Sequence, residues 1–275
     1  MKDMAQLLEQ DGRKQLIIGI ISALIGALFI FGLFVVEVDG VSYLVTGFFI
    51  FIFLFIGLTQ LSAGARDLRQ SRSGTKNFTD GVESVAHESL PKRMYLGFHS
   101  GFDTRTRLYD MDGNTYGEVK EQGRLNRAVK FLGGAVHATP FLPGTYAFYD
   151  QDANLIYSLD KKGGLRWRSY IEDESGHPIA YIEEPSGNKG KVLHYLKGDQ
   201  LIWKAETDSY GDFVKIYDTS GKMLVEMKRD AIPVEAVDRF GSSSGFLLEW
   251  HDAKDVTDEL LVFTFTLHLR RFMNY

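Results

Sequence analysis

The 275-residue chain contains no cysteine. That absence excludes disulfides, thiolate metal sites and cysteine nucleophiles, and it is compatible with a reducing compartment. A basic excess is missing as well, since the formal net charge is −5. Up to Lys76 there are 7 basic and 6 acidic residues of the 31 and 36 in the chain, which leaves 24 and 30 beyond it. Phosphate neutralisation needs clustered positive charge, so no nucleic-acid partner is expected. The seven histidines are scattered without His-Glu-x-x-His or other ligand spacing, so no metal is expected. Paired glycines are followed by neither the Lys-Ser/Thr nor the helix-opening spacing of a phosphate loop. No set of acid, base and nucleophile stands out, and the expectation is a non-enzymatic chain with no catalytic residue and no cofactor.

Charge is also absent from two long runs. "LIIGIISALIGALFIFGLFVV", Leu16 to Val36, and "YLVTGFFIFIFLFIGLTQL", Tyr43 to Leu61, hold no Asp, Glu, Lys, Arg or His. Each is long enough to cross a hydrocarbon core of about 30 Å as a helix. The break between them contains Asp39-Gly40, a turn-former. An uncleaved helical hairpin is therefore expected over 15–64, with crossings at about 16–36 and 43–61. Arg13 and Lys14 precede the first run, Arg66, Arg69, Arg72 and Lys76 follow the second, and the connection carries only Glu37 and Asp39. By the positive-inside rule both termini and the large remaining domain face the cytoplasm. "NFT", Asn77 to Thr79, matches a glycosylation acceptor that this topology keeps from the lumen. Uncharged spans offer no proton relay or ion path. Gly19, Ser22, Ala23, Gly26 and Ala27 set small residues on one helix face, as close helix packing requires.

Residues 1–14 read as a cytoplasmic N-terminal segment and 65–90 as a polar linker with a short helix. Beyond Pro91 a phrase recurs: "LYDMDGNTYGEV", "FYDQDANLIYSL", "YIEDESGHPIAYIEE" and "IYDTSGKMLVEM". Each sets an apolar strand end before acidic and turn residues, then an alternating strand. "LKGDQLIWKAE" fits the same scheme. Such spacing predicts a mainly β, antiparallel meander over 91–275 that becomes a sandwich or a barrel. The closing segment, "VTDELLVFTFTLHLRRFMNY", has too short an apolar run for a third crossing. Its alternation of Phe263, Phe265, Leu267 and Leu269 with Thr and His favours a strand. Its flanks favour a helix, with Asp255 or Thr257 to cap, Asp258 and Glu259 at the start, and Arg270 and Arg271 at the end.

A multi-hairpin β domain ending in a largely hydrophobic segment resembles the tubby C-terminal-like superfamily, which includes LURP-one-related proteins and phospholipid scramblases. The resemblance covers roughly Leu90 to Tyr275, rests on pattern and order, and leaves out the paired N-terminal spans. It implies a closed antiparallel β-barrel of about a dozen strands around a central C-terminal helix.

Among candidate sites, "KKGGLRWR" offers Lys161, Lys162, Arg166 and Arg168 to anionic headgroups, with Trp167 at the interface. A solvated hairpin tip is the plain alternative. Arg124, Arg127 and Lys130 in "RLNRAVK" read as a solvated helix face. "DMDGNTYGEVKE" places Asp110, Asp112, Asn114 and Glu121 at calcium-loop positions, but Thr115 stands where the loop needs glycine, so a hairpin is expected. "GSSSG", Gly241 to Gly245, matches a nucleophile elbow only formally, because a strand and not a helix follows. The expectation is a membrane-anchored module whose cytosolic barrel binds membrane lipid headgroups or a protein partner near the bilayer. The alternative is lipid transport or scrambling by hairpins that oligomerise through their spans.

Overall fold

The computed structural model describes residues 4–35, 39–73, 78, 90–98, 105–122, 142–163, 168–185, 187, 191–208, 210–241, 244–252, 254 and 256–272. Two long helices open the chain, α1 (Met4–Val35) and α2 (Gly40–Ser73). Both are long and apolar enough to cross a membrane. Asp39 caps α2, its carboxylate accepting the Ser42 N–H at 2.8 Å. Glycines recur every seven residues, at Gly12, Gly19 and Gly26 on α1 and at Gly57 and Gly64 on α2; Gly12 meets Gly64 and Gly19 meets Gly57 across the pair, while Gly26 meets Leu54. A Cβ on Gly64 would lie 2.7 Å from the Gly12 carbonyl oxygen, so only hydrogen permits this approach. Gly19, Ser22 and Gly26 of the small-residue face are buried as close packing requires, while Ala23 comes within 3.1 Å of where a Gly57 Cβ would lie.

The helices outrun the apolar runs. At about 1.5 Å per residue each is roughly 50 Å long, well beyond a hydrocarbon core. The expected linker from residue 65 is therefore corrected over its first part: α2 continues to Ser73. Ala63, Arg66, Leu68, Arg69 and Gln70 are good helix formers, and Ala63, Gly64 and Asp67 are buried. The rest of that linker lies outside the described residues apart from Phe78 and Leu90.

Twelve strands follow. They are β1 (Arg93–Phe98), β2 (Thr106–Asp110), β3 (Thr115–Glu121), β4 (Gly144–Asp150), β5 (Leu155–Lys161), β6 (Ser169–Glu172), β7 (Pro178–Glu183), β8 (Val192–Lys197), β9 (Gln200–Thr207), β10 (Phe213–Asp218), β11 (Met223–Arg229) and β12 (Ser244–Trp250). Each pairs antiparallel with its sequence neighbour, and β12 returns to β1, closing a barrel without a free edge. A short helix, α3 (Val237–Phe240), lies between β11 and β12.

The recurring phrase is a hairpin with an acidic brace. Asp110, Asp150, Asp173 and Asp218 each end or follow a strand, and each carboxylate accepts the N–H four residues on at 2.8–2.9 Å. The fourth residue of each turn adopts positive φ: Gly113, Ala153, Gly176 and Gly221. Register shifts just before the aspartate mark a bulge in each hairpin. This is the type I turn plus bulge of three-residue hairpins. The Asp110–Glu121 stretch is accordingly a hairpin, with Asp110 bound to the side chain of Asn114.

The two barrel ends differ. Connections from even to odd strands have two to five residues, whereas those from odd to even have five to 22. The short connections make one end the tight-turn end, and the long connections mark the other as the long-loop end.

The closing segment is a helix, α4 (Asp258–Phe272). Thr257 caps it through Oγ1, 3.3 Å from the Leu260 N–H. Its residues Leu260 to His268 are buried. Thr264 and Thr266 donate their hydroxyls to the carbonyls of Leu261 and Val262, which removes the cost of burying them. Glu259 accepts the Tyr195 hydroxyl and the Lys197 ammonium at 2.9 and 2.8 Å. Phe263 meets Tyr195 and Trp203, Phe265 meets Phe148, and His268 meets Phe246. One apolar cluster joins these residues to strand residues such as Leu96, Leu108, Ile171, Ile216 and Leu248.

Candidate functional site

The feature that most sets this molecule apart is the junction of hairpin and barrel. Met4, Leu7 and Leu8 of α1 pack on Tyr170, Tyr181 and Leu196 of β6, β7 and β8, with Phe78 and Leu201 beside them. One turn further along, Asp11 is buried against the barrel. Its Oδ2 accepts Arg168 Nη1 at 3.0 Å and the Tyr170 hydroxyl at 2.8 Å. Arg168 also spans to Glu183, with Nε at 3.1 Å and Nη2 at 2.8 Å from Oε2. On the second helix, Asp67 accepts Lys162 Nζ at 2.8 Å through one oxygen and Gln15 Nε2 at 3.0 Å through the other. Lys162 donates again to Asp160 at 2.7 Å. Each of the two long helices thus places one carboxylate against one cation of the same β5–β6 connection.

Burial is the largest single influence on each of these groups, but it does not set the direction for the two cations. It opposes the charge on Lys162, yet the Asp160 and Asp67 carboxylates outweigh it and raise the lysine pKa. Arg168 moves the same way, as Tyr170 and Asp11 outweigh its burial. Burial and the Asp11 charge raise the Tyr170 hydroxyl well above its ordinary value. The Lys162 ammonium lies 5.4 Å from the Tyr170 ring centre, and the Arg168 guanidinium 5.6 Å from that of Tyr181. A cation in each pair is therefore retained, desolvated, bonded and stacked.

These are residues from the expected headgroup stretch, in different surroundings. Lys161, Lys162 and Arg168 are only 2%, 1% and 7% exposed. Lys161 donates to the Leu142 carbonyl at 2.9 Å. With their ammonium and guanidinium groups turned onto carboxylates or a carbonyl inside the molecule, these three do not present a solvent-facing basic patch. Arg166 and Trp167 lie outside the described residues, as do Arg124, Arg127, Lys130 and Asn77. In "GSSSG", Ser244 and Gly245 belong to β12, where Gly245 packs so close to Leu96 that a Cβ would lie 2.2 Å from its carbonyl oxygen. Sequence reasoning missed Asp11, Asp67, Gln15 and Glu183. The signal available was acidic residues among the basic flanks of two apolar runs, Asp11 beside Arg13 and Asp67 beside Arg66.

Two cavities open at the tight-turn end. One of about 580 Å³ is lined by Arg93, Asp110, Met111, Met223, Glu249 and Trp250 among others. The other, about 350 Å³, lies between α4 and the wall, with Leu108, Phe148, Leu261 and Phe265 inside and Asp152 and Asp258 at its mouth. Among the described residues no group of three or more His, Asp or Glu is arranged to hold a metal ion.

No family model matches the chain. Teneurin-m of Drosophila melanogaster is 23% identical over 172 residues, which cover 57% of this chain. The match spans 6% of that protein's length. A crystal structure of a protein from Arabidopsis thaliana is similar at a TM-score of 0.42 and 12% identity, covering 67% of this chain and 93% of that one.

Proposed function

We propose that this chain is a membrane-anchored, non-enzymatic barrel module that works at the cytoplasmic face of a bilayer on a lipid headgroup or a protein partner. The observation that carries it is the double ionic clamp, Asp11–Arg168 and Asp67–Lys162, between hairpin and barrel. A flexible tether would only raise the local concentration of the barrel. Two buried pairs, one on each helix, hold it in a set pose against the helices. The distribution of Arg13, Lys14, Arg66, Arg69 and Arg72 supports the cytoplasmic orientation. Ring contacts of α4 with β4, β8, β9 and β12 support that helix as the axis of a tubby-like barrel.

The cysteine-free chain makes the test direct. With Ser220→Cys in the β10–β11 turn as the sole thiol, a membrane-impermeant maleimide labels it only after cells are permeabilised. Labelling of intact cells overturns the cytoplasmic placement. Native mass spectrometry of the full chain in bilayer discs then tests the ligand. Retained anionic lipid supports headgroup binding, whereas its absence together with in-membrane crosslinks to another protein supports the partner version; absence of both lipid and crosslinks overturns the binding role.

A further inference from the structure

The clamp also fixes which end of the barrel meets the membrane. Leu196, beside the tight β8–β9 turn, packs with Met4, Leu7 and Leu8. Asp11 meets Arg168 and Tyr170, and Gln15 shares Asp67 with Lys162, where β5 gives way to the β5–β6 connection. From Met4 to Gln15, α1 therefore climbs the wall of β6–β8 from the tight-turn end to the long-loop end. That stretch rises about 18 Å, close to the roughly 20 Å of a six-residue strand. The uncharged run begins at Leu16, next after Gln15, where the helix reaches the end of β5 through Asp67 and Lys162.

Exposed aromatics gather there too. Tyr210 and Phe213, in and after the β9–β10 connection, are 83% and 46% exposed. Val234 and Val237 are exposed as well, but their segment turns back over β1 and β2. Phe240 stacks on Tyr95 there, and Arg239 reaches the Met111 carbonyl at the tight-turn end. Aromatic side chains favour the bilayer interface, and Tyr210 and Phe213 sit at the barrel end past which the two apolar spans begin.

We propose that the long-loop end of the barrel lies on the bilayer that holds the hairpin, with Tyr210 and Phe213 in the interface and the tight-turn end pointing away. This rests on the reading of α1 and α2 as membrane spans.

The test uses the full chain with one engineered thiol carrying an environment-sensitive fluorophore, in discs containing lipid with a nitroxide near the headgroup. Asp212→Cys places the probe between the two aromatics and keeps both, and Ser220→Cys places it at the opposite end. Quenching of at least about twofold at position 212 and none at 220 is expected, and adding Tyr210→Asp and Phe213→Asp lowers the quenching at 212. Equal quenching at both positions, or more at 220, overturns the proposal. Flotation separates the two failures. A chain that floats with lipid but shows no quenching at 212 refutes only the orientation, whereas one that does not float refutes the anchoring beneath it.

Discussion

Ala153 is the odd member of the braced hairpins. Gly113, Gly176 and Gly221 occupy the equivalent positive-φ position, and Ala153 holds φ of 63° with a Cβ. That conformation costs an L-residue about 1–2 kcal/mol, and glycine gives back part of it through unfolded-state entropy. Ala153→Gly is expected to stabilise the chain by about 0.5–1 kcal/mol, read as a rise of about 2–3 °C in thermal unfolding in detergent. The clamp makes the opposite case. Lys162→Met leaves Asp67 buried opposite an apolar group, and loss of one partner of such a pair costs about 3–5 kcal/mol. Adding Asp67→Leu recovers most of that loss, and a double variant no better than the single one refutes the pairing. Residues of these two kinds differ in how far the sequence betrays them. An aspartate followed three positions on by glycine is a local pattern, legible in three of the four braced hairpins, with Ala153 in the fourth. Asp11 and Arg168 stand 157 positions apart, and nothing near either one announces the other. Lysine and arginine are seldom buried unless paired, so the stretch from Lys161 to Arg168 reads as surface until its partners arrive from the helices.

Elements declared themselves by length and period. Two uncharged runs were visible because a bilayer leaves few alternatives to a helix, and the strands because turn residues punctuate them. The point where α2 stops was not legible, because arginines and serines after an apolar run describe a solvated helix as well as a linker. The closing segment gave conflicting signals for a physical reason. Phe263, Phe265 and Leu267 alternate with threonines, yet Thr264 and Thr266 bond their own helix's carbonyls and behave as apolar residues inside the core. Close packing of α1 on α2 is the element-level property easiest to test. Gly64→Val puts a branched side chain where even a Cβ meets the Gly12 carbonyl oxygen and Leu16 backbone. Overpacking of this kind costs about 1–3 kcal/mol, and because Asp67 lies one turn on, the clamp is displaced with it. Gly47→Ala, with nothing within 4 Å of the added carbon, is the matched control and is expected to be neutral. Limited proteolysis of the full chain, with earlier cleavage in Gly64→Val alone, reads the difference.

Across the whole molecule, the opposing shifts of a few buried groups define a pH window. Lys162 has a raised pKa, so its contribution is fully present below the ordinary lysine value of 10.5 and is lost only as pH rises through the higher folded value. His268 acts at the acid side. Burial among the core residues pushes its pKa down from 6.5 to about 3, so the folded chain keeps the imidazole neutral while the unfolded chain takes a proton. Its contribution is complete above about pH 6.5 and drains away as pH falls from there toward about 3, by up to about 1.4 kcal/mol per pH unit. Surface carboxylates with lowered pKa, such as Glu118 and Glu249, add to acid loss, but only below their ordinary value of 4.5. The interval from pH 6.5 to 4.5 therefore belongs to histidine: to His268, and to His194, whose pKa burial and the Lys204 charge also lower. Denaturant midpoints of the full chain in detergent are expected to fall across that interval in the unaltered protein and to fall less steeply in His268→Gln, where His194 alone of the two remains. Parallel slopes in the two proteins would place the source of acid sensitivity elsewhere than the buried imidazole of α4.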